Sequence, residues 1–457
     1  MQVKISSLIF INQSQEMKKT LIFVCALFVL MLGKTSEAAE IKFKEFDLSN
    51  GLHVIVHEDH SVPIVAVSVM YHVGSKNENP ERTGFAHFFE HLMFEGTKNI
   101  ERFEYDKIVE GAGGTLNANT SNDRTYYYEI LPSNQVELGL WLESERMLHA
   151  RVDSIGIATQ KGVVIEEKKQ SVDNQPYGTL LQELLSHGFT KHPYRWTVIG
   201  NEDHIRAAKD EEFKAFYDAF YVPNNAVLVI AGDVKYKEVK KMVEKYFSGI
   251  PAKAGGIYRP TEVEDIKHAE VRDTIYDNIQ LPAIFQAYHI PAMGTDDYYA
   301  VQMLNQLLAT GQSSRLYKAL VDEQQLAIQV AAIPLPFEDP GLSIALAIPN
   351  MGLDCADVEA AMDKEIEKVQ NELIPEREFQ KLKNQIENQI VNQNSTIASR
   401  ATTLARNYTY FKDANRINTD LNKYLSLTPE DLKRVANQYF RKDNRVVLYY
   451  LPKKSDQ

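Results

Sequence analysis

The sequence predicts an α+β protein made of two duplicated domains, each a largely antiparallel sheet covered by helices. Short alternating or β-branched runs (62–72, 125–130 and 226–231 early, 446–451 late) are interleaved with long helical patterns (135–150 early, 360–372 and 376–392 late). Residues 213–229 echo residues 432–448: in each, an amphipathic helix ends in aromatics, and a polar turn then leads into a β-branched strand. A repeat displaced by about 219 residues marks duplicated domains rather than a short-period solenoid. With 457 residues and 44% hydrophobic content, there is enough apolar material for two cores.

The first segment is set apart. Met17-Lys18-Lys19, an apolar run over 21–32 and the small residues of Ser36-Glu37-Ala38-Ala39 form a signal-peptide pattern cut near Ala38/Ala39. Either Met1 or Met17 can serve as the start. The run is too short for a permanent membrane anchor, so an exported, most simply periplasmic, protein is expected. Removing 1–39 takes away four lysines and two glutamates and moves the net charge from −12 to −14. That acidity argues against nucleic acid and against anionic membrane surfaces. Cys25 leaves with the signal, so Cys355 remains without an intramolecular disulfide partner and reads as a packing residue.

The chemistry is concentrated in His87-Phe88-Phe89-Glu90-His91. In a helix, His87 and His91 project from one face one turn apart, so both imidazoles can reach a single ion. Glu90 stands on the same side, placed to take a proton from a water activated there. The H-x-x-E-H order is that of the inverted zincins. Chance supplies it roughly 0.04 times in a chain with 12 His and 62 acidic residues among 457, so the motif is informative by itself. A catalytic zinc takes three protein ligands and keeps one position open. A helical segment near 156–172 offers both Glu166 and Glu167 as the third. The stretch from Gly113 to Ser121 reads equally as a Gly-rich loop and as an edge strand. Tyr126, Tyr127 and Tyr128 read as strand packing. Between the halves, Pro251-Ala252-Lys253-Ala254-Gly255-Gly256 opens a weakly patterned linker that lasts to His268.

Several segments together resemble the pitrilysin family of zinc metallopeptidases, which includes the mitochondrial processing peptidases and insulin-degrading enzyme. They are Asn50-Gly51-Leu52, Val73-Gly74-Ser75 with Glu78, and the stretch from Gly84 through the motif to Thr97. Gly114-Thr115-Leu116-Asn117-Ala118, Tyr221-Val222-Pro223-Asn224-Asn225-Ala226, Gly232-Asp233-Val234 and the stretch from Gly311 to Tyr317 continue the likeness in family order. The match is strongest to the bacterial two-domain branch related to the processing peptidases.

The resemblance implies a zinc-dependent endopeptidase whose two domains face each other as a clamshell around a peptide or small unfolded protein. It implies one Zn²⁺ per chain, held by His87, His91 and a glutamate separated from the motif by 75 residues, which selects Glu167 and leaves Glu166 as the alternative. Glu90 is then the catalytic base, and Asn117 and Ala118 lie on a substrate-binding edge strand. Gln160 stands where many relatives carry a supporting glutamate. The His192-Pro193-Tyr194-Arg195-Trp196 segment matches a family loop and is assigned no chemistry. The implied domains are 40–250, metal-bearing; 251–268, linker; and 269–457, without the motif. In the second copy Gln302, Asn305 and Gln306 fall opposite His87, Glu90 and His91, so no zinc is expected there. Single-chain relatives reach the substrate from the far domain with an Arg/Tyr pair. Here those positions are Val321 and Ile328, which cannot donate hydrogen bonds. The implied partner is therefore a homologous subunit carrying that pair. The alternative is a non-catalytic scaffold or binding subunit of the same family.

Overall fold

The computed structural model describes residues 40–265 and 267–453; the signal-peptide pattern over 1–39 lies outside them. The described chain is α+β, with two sheets. The first has strands β1 (Lys44–Asp47), β2 (His53–Glu58), β3 (Ile64–Tyr71), β4 (Thr115–Thr120), β5 (Thr125–Pro132) and β6 (Ala226–Gly232), in the order β1-β2-β6-β3-β5-β4. The second has β7 (Val271–Asp277), β8 (Ala283–Ile290), β9 (Ala327–Leu335), β10 (Gly341–Pro349) and β11 (Arg445–Pro452), in the order β7-β11-β8-β10-β9. Every pairing is antiparallel except β2 with β6 and β7 with β11. The second sheet thus repeats β2-β6-β3-β5-β4 strand for strand, and β1 is an added edge. The echo between 213–229 and 432–448 becomes, in each half, a helix (Asp210–Phe220; Pro429–Tyr439), a 3₁₀ turn and then a sheet strand, β6 or β11.

Both faces of the first sheet are buried, which is why β6 (AVLVIAG) is a continuous apolar run with no alternation. One face, with Val54, Val67, Val69, Leu228 and Ile230, packs into the main core. On the other, Ile55, Ala66, Met70, Val227, Val229 and Ala231 are equally buried. Their cover comes from the far half. The helix Ile397–Phe411 packs on β6, β3 and β2. Its Ala401 and Ala405, fully buried, allow a close approach, Thr402 Oγ1 donates to Tyr126 Oη at 3.1 Å, and Arg400 pairs with Asp59 at 2.5 Å. The exchange is reciprocal. The helix Leu180–Gly188, from the first half, packs on β11 and β8, with Leu184 and Leu185 among Phe285, Leu342 and Leu448.

Between the sheets lies a buried ionic cluster. Lys76 Nζ sits 3.0 Å from Asp123 in the β4–β5 turn, and 2.5 and 3.1 Å from Glu338 and Asp339 in the corresponding β9–β10 turn. Tyr194 donates to Asp123 at 2.5 Å, and His72 Nε2 lies 2.8 Å from Glu338. Burial disfavours the Lys76 charge, but the three carboxylates outweigh it and raise the ammonium well above the lysine range. Burial likewise opposes ionisation of Glu338, yet the bonds from His72 and Lys76 hold its carboxyl at about 2. The hydrogen bond from His192, with the Lys76 charge, holds Asp339 at about 2.

Removing the cation leaves buried Asp123 and partly buried Glu338 without their ammonium partner. Lys76→Met is expected to cost about 3–5 kcal/mol of unfolding free energy in urea titrations at neutral pH. Because Glu338 and Asp339 are depressed in the folded state, their contribution is complete above about pH 4.5 and is lost as pH falls towards 2. The wild-type midpoint should fall through that window, and the fall should be shallower in Lys76→Met. An unchanged acid limb in the variant would show that the cluster does not join the halves energetically.

Candidate metal centre

The motif occupies the helix Phe85–Leu92, two turns long. Apolar residues at three- and four-residue spacing explain why so short a helix stays in place. Phe85, Phe88, Phe89 and Leu92 are buried. Phe85 and Phe88 pack on Phe213 at 4.5 and 4.4 Å between ring centroids, and Phe89 packs on Phe216 at 5.2 Å. Beneath it, Tyr127 Oη donates to Phe89 O at 3.2 Å. The entry is fixed by Gly84 at φ 94°, where a Cβ would stand 2.7 Å from Ile199 O. Buried Glu78 accepts from the backbone N–H of Gly84 and Ala86 at 2.9 and 2.8 Å, satisfying two open helix donors.

The polar face carries His87, Glu90 and His91. Opposite lies the helix Ser154–Lys168, N-capped by Asp153, which accepts from Gly156 N–H at 2.9 Å. Gly156 lets the helices approach: a Cβ there would come within 3.4 Å of Leu92 and 2.8 Å of Arg102. This places Glu167 Oε1 3.5 Å from His87 Nε2 and Oε2 3.2 Å from His91 Nε2. Glu166 is exposed and accepts from Gln170 at 3.0 Å. Between the two glutamates left open by the sequence, only Glu167 joins the histidines.

The set suits zinc. Tetrahedral ligands at about 2.0–2.1 Å stand roughly 3.3 Å apart, close to the two separations observed, and the three donor atoms lie within 4.8 Å of one another. Burial, reinforced by His91, brings the His87 imidazole down to about 4, so it is neutral at pH 7 with a lone pair available. The hydrogen bond from His91 holds Glu167 below the usual carboxylate range. Two imidazoles, that of His87 neutral, and one carboxylate therefore converge.

Glu90 points to the same space without joining the triad. Thr120 Oγ1 donates to its Oε2 at 2.6 Å, and Oε1 has no hydrogen-bond partner among the described residues. Burial raises the carboxyl above its usual value, against the pull of Thr120. Thr120 belongs to β4, the unpaired edge of the sheet, and no sequence signal singled it out. A cavity of about 300 Å³ opens here, lined by Glu90, His91, Phe94, Asp106, Asn117 and Ala118. Asn117 and Ala118 thus lie beside Glu90. Phe94 and Asp106 were not anticipated.

Gln160, which stands where many relatives carry a supporting glutamate, donates to Glu95 Oε1 at 2.6 Å. Its Oε1 and His87 Nδ1 are buried with no hydrogen-bond partner among the described residues. The positions of the absent pair also differ in kind: Val321 packs against the second core, and Ile328 stands exposed on β9.

Known proteins extend the same reading. The family profile described as "Insulinase (Peptidase family M16)" matches residues 53–202, which contain the motif and Glu167, and that described as "Peptidase M16 inactive domain" matches residues 208–386. The zinc protease PqqE of Helicobacter pylori is 30% identical over 440 residues, 95% of this chain and 99% of that one. The mitochondrial-processing peptidase subunit beta of Lentinula edodes is 27% identical over 327 residues, 67% of this chain and 68% of its own. The crystal structure of a protease from Helicobacter pylori superposes with a TM-score of 0.86 at 28% identity, covering 91% of this chain and all of that one. With an H-x-x-E-H helix facing Glu167, a twice-repeated sheet and two matching profiles, the chain belongs to peptidase family M16, a family of zinc metallopeptidases.

Proposed function

We propose that the protein is a zinc-dependent endopeptidase acting on peptides or small unfolded proteins, with one Zn²⁺ per chain held by His87, His91 and Glu167. The observation that carries this reading is Glu167 at 3.5 and 3.2 Å from the two histidines, with Glu90 beside them. A zinc ion held there supplies Lewis acidity to water and to the scissile carbonyl. Glu90 Oε1 takes the proton of the attacking water and passes it to the leaving amine, while Thr120 keeps Oε2 in place. The free edge of β4 pairs with an extended peptide, and Asn117 and Ala118 line its path.

The same proposal assigns the chain to the metal-bearing half of a heterodimer. Val321 and Ile328 provide no donor for a developing oxyanion. A homologous subunit would contribute the missing Arg/Tyr pair; one relative in the comparison is itself named as a subunit. The pattern over 1–39 supports export to the periplasm, and no helix among the described residues is long and apolar enough to cross a membrane. The presence of His87, Glu90, His91 and Glu167 together supports this reading over a purely scaffolding subunit.

Metal analysis of the purified protein should give about one zinc per chain. His91→Ala should lose most of it, because two ligands cannot hold a catalytic zinc; stoichiometric zinc in that variant would remove the ligand assignment. Glu90→Gln keeps the shape without the base, so zinc should stay near one per chain while peptide hydrolysis falls at least about 100-fold. Turnover close to wild type would mean that another group activates water. The split site is tested by mixing. The isolated chain should be weakly active or inactive, since each missing donor costs on the order of 100- to 1000-fold, and a homologue carrying the pair should restore activity in a co-eluting complex. Full activity from this chain alone, at a concentration where it is monomeric, would refute the division of labour.

A further inference from the structure

The second half rebuilds the framework of the metal centre around different chemistry. The helix Asp296–Ala309 lies between β8 and β9 in the chain, as the motif helix lies between β3 and β4. The helix Glu376–Gln393 is the second helix after β10, as Ser154–Lys168 is the second after β5. Gln302 and Gln306 on the first helix, and Gln389 on the second, line one cavity of about 390 Å³. Glu167 and Gln389 each come thirteen residues after the start of their helix. Amides are poor zinc ligands, but each offers a donor and an acceptor, as a peptide bond does.

Residues that carry donors without partners line this cavity. Asn305, 5% exposed, accepts from Ser343 Oγ at 2.5 Å through Oδ1, while its Nδ2 has no hydrogen-bond partner among the described residues. Gln302 Nε2 is buried in the same condition. The exchanged helix Ile397–Phe411 adds Arg406 to the lining. The other arginine there, Arg416, pairs with Asp420 at 3.1 Å, whereas Arg406 forms no ion pair among the described residues. Buried donors are ordinarily satisfied, so such a cluster calls for a ligand that brings acceptors and negative charge. Tyr299 and Tyr424 supply apolar walls, and the volume lies in the range of about 300–1,000 Å³ typical of small-ligand sites.

We propose that this cavity binds the C-terminal end of a short peptide. The terminal carboxylate pairs with Arg406, Asn305 Nδ2 and Gln302 Nε2 donate to it or to the last carbonyl, and the amides of Gln306 and Gln389 match the preceding peptide group. The site does not depend on the metal centre or on hydrolysis there.

Calorimetric titration of the full chain with N-acetyl-trialanine, its C-terminal amide and acetate tests this. The free acid should bind at least about tenfold more tightly than the amide and than acetate. Arg406→Gln should weaken the acid about 10- to 100-fold, the worth of a charge-assisted hydrogen bond, and bring it level with the amide. Gln306→Glu sets a negative charge on a partly exposed wall and should do the same; zinc content and thermal midpoint report whether each variant folds. Equal affinities for acid and amide, acetate as tight as the acid peptide, or no binding would each overturn the proposal. So would acid binding unchanged in both variants, because it would place the peptide elsewhere, the metal cleft included. If one variant fails to fold, the other still reports the location, and equal affinities for acid and amide in the wild-type chain overturn the proposal by themselves.

Discussion

Everything at the candidate metal centre depends on one helix of two turns performing two incompatible tasks. An isolated helix of that length is unstable in water, and its polar residues are unfavourable neighbours: two imidazoles and a carboxylate crowded with a second carboxylate. The helix holds because its other face is almost entirely aromatic and locked against Phe213 and Phe216, and because Glu78 satisfies its open amide donors. The packing of Phe85, Phe88 and Phe89 is therefore as much a part of the site as the ligands. It removes freedom that His87 and His91 would otherwise lose on gathering around an ion.

How far this was legible in the sequence follows from how local each determinant is. The motif could be read at once, since helical periodicity alone puts His87, Glu90 and His91 on one face. Glu167 was reachable only through the family's spacing; local pattern left Glu166 equal to it, and helix phase decides between them. The second-half strands β8 and β10 were not legible because they are covered along most of their length, so no apolar/polar alternation marks them. Lys76 and Thr120 were illegible for another reason. Each gains its role from partners that only the tertiary fold supplies, Glu338 in one case and Glu90 in the other.

The duplication was visible, but what the halves do to one another was not. Their sheets share the order of five strands and two of their helices share sequence position, and at those helices the side chains diverge: histidines and glutamate in one framework, glutamines in the other. A scaffold that can carry either set shows that the backbone arrangement does not require the metal. In the second half the corresponding helix is held by apolar packing through Leu304, Leu307 and Leu308 and by ion pairs such as Arg434 with Asp297.

The reciprocal helix exchange has a kinetic consequence. A nascent chain completes β6 at residue 232, yet the helix that covers its second face ends at residue 411. At synthesis rates of about 5–20 residues per second, the intervening stretch takes roughly 10–40 s to emerge. Throughout that interval Val227, Val229 and Ala231 form a bare apolar surface on an otherwise complete sheet. The contacts that close it span some of the longest sequence separations in the molecule, which slows their formation. Fragments ending before the last helices would keep that surface permanently exposed and would be prone to aggregate, so in this fold the tail of the polypeptide acts as the quality checkpoint for its beginning.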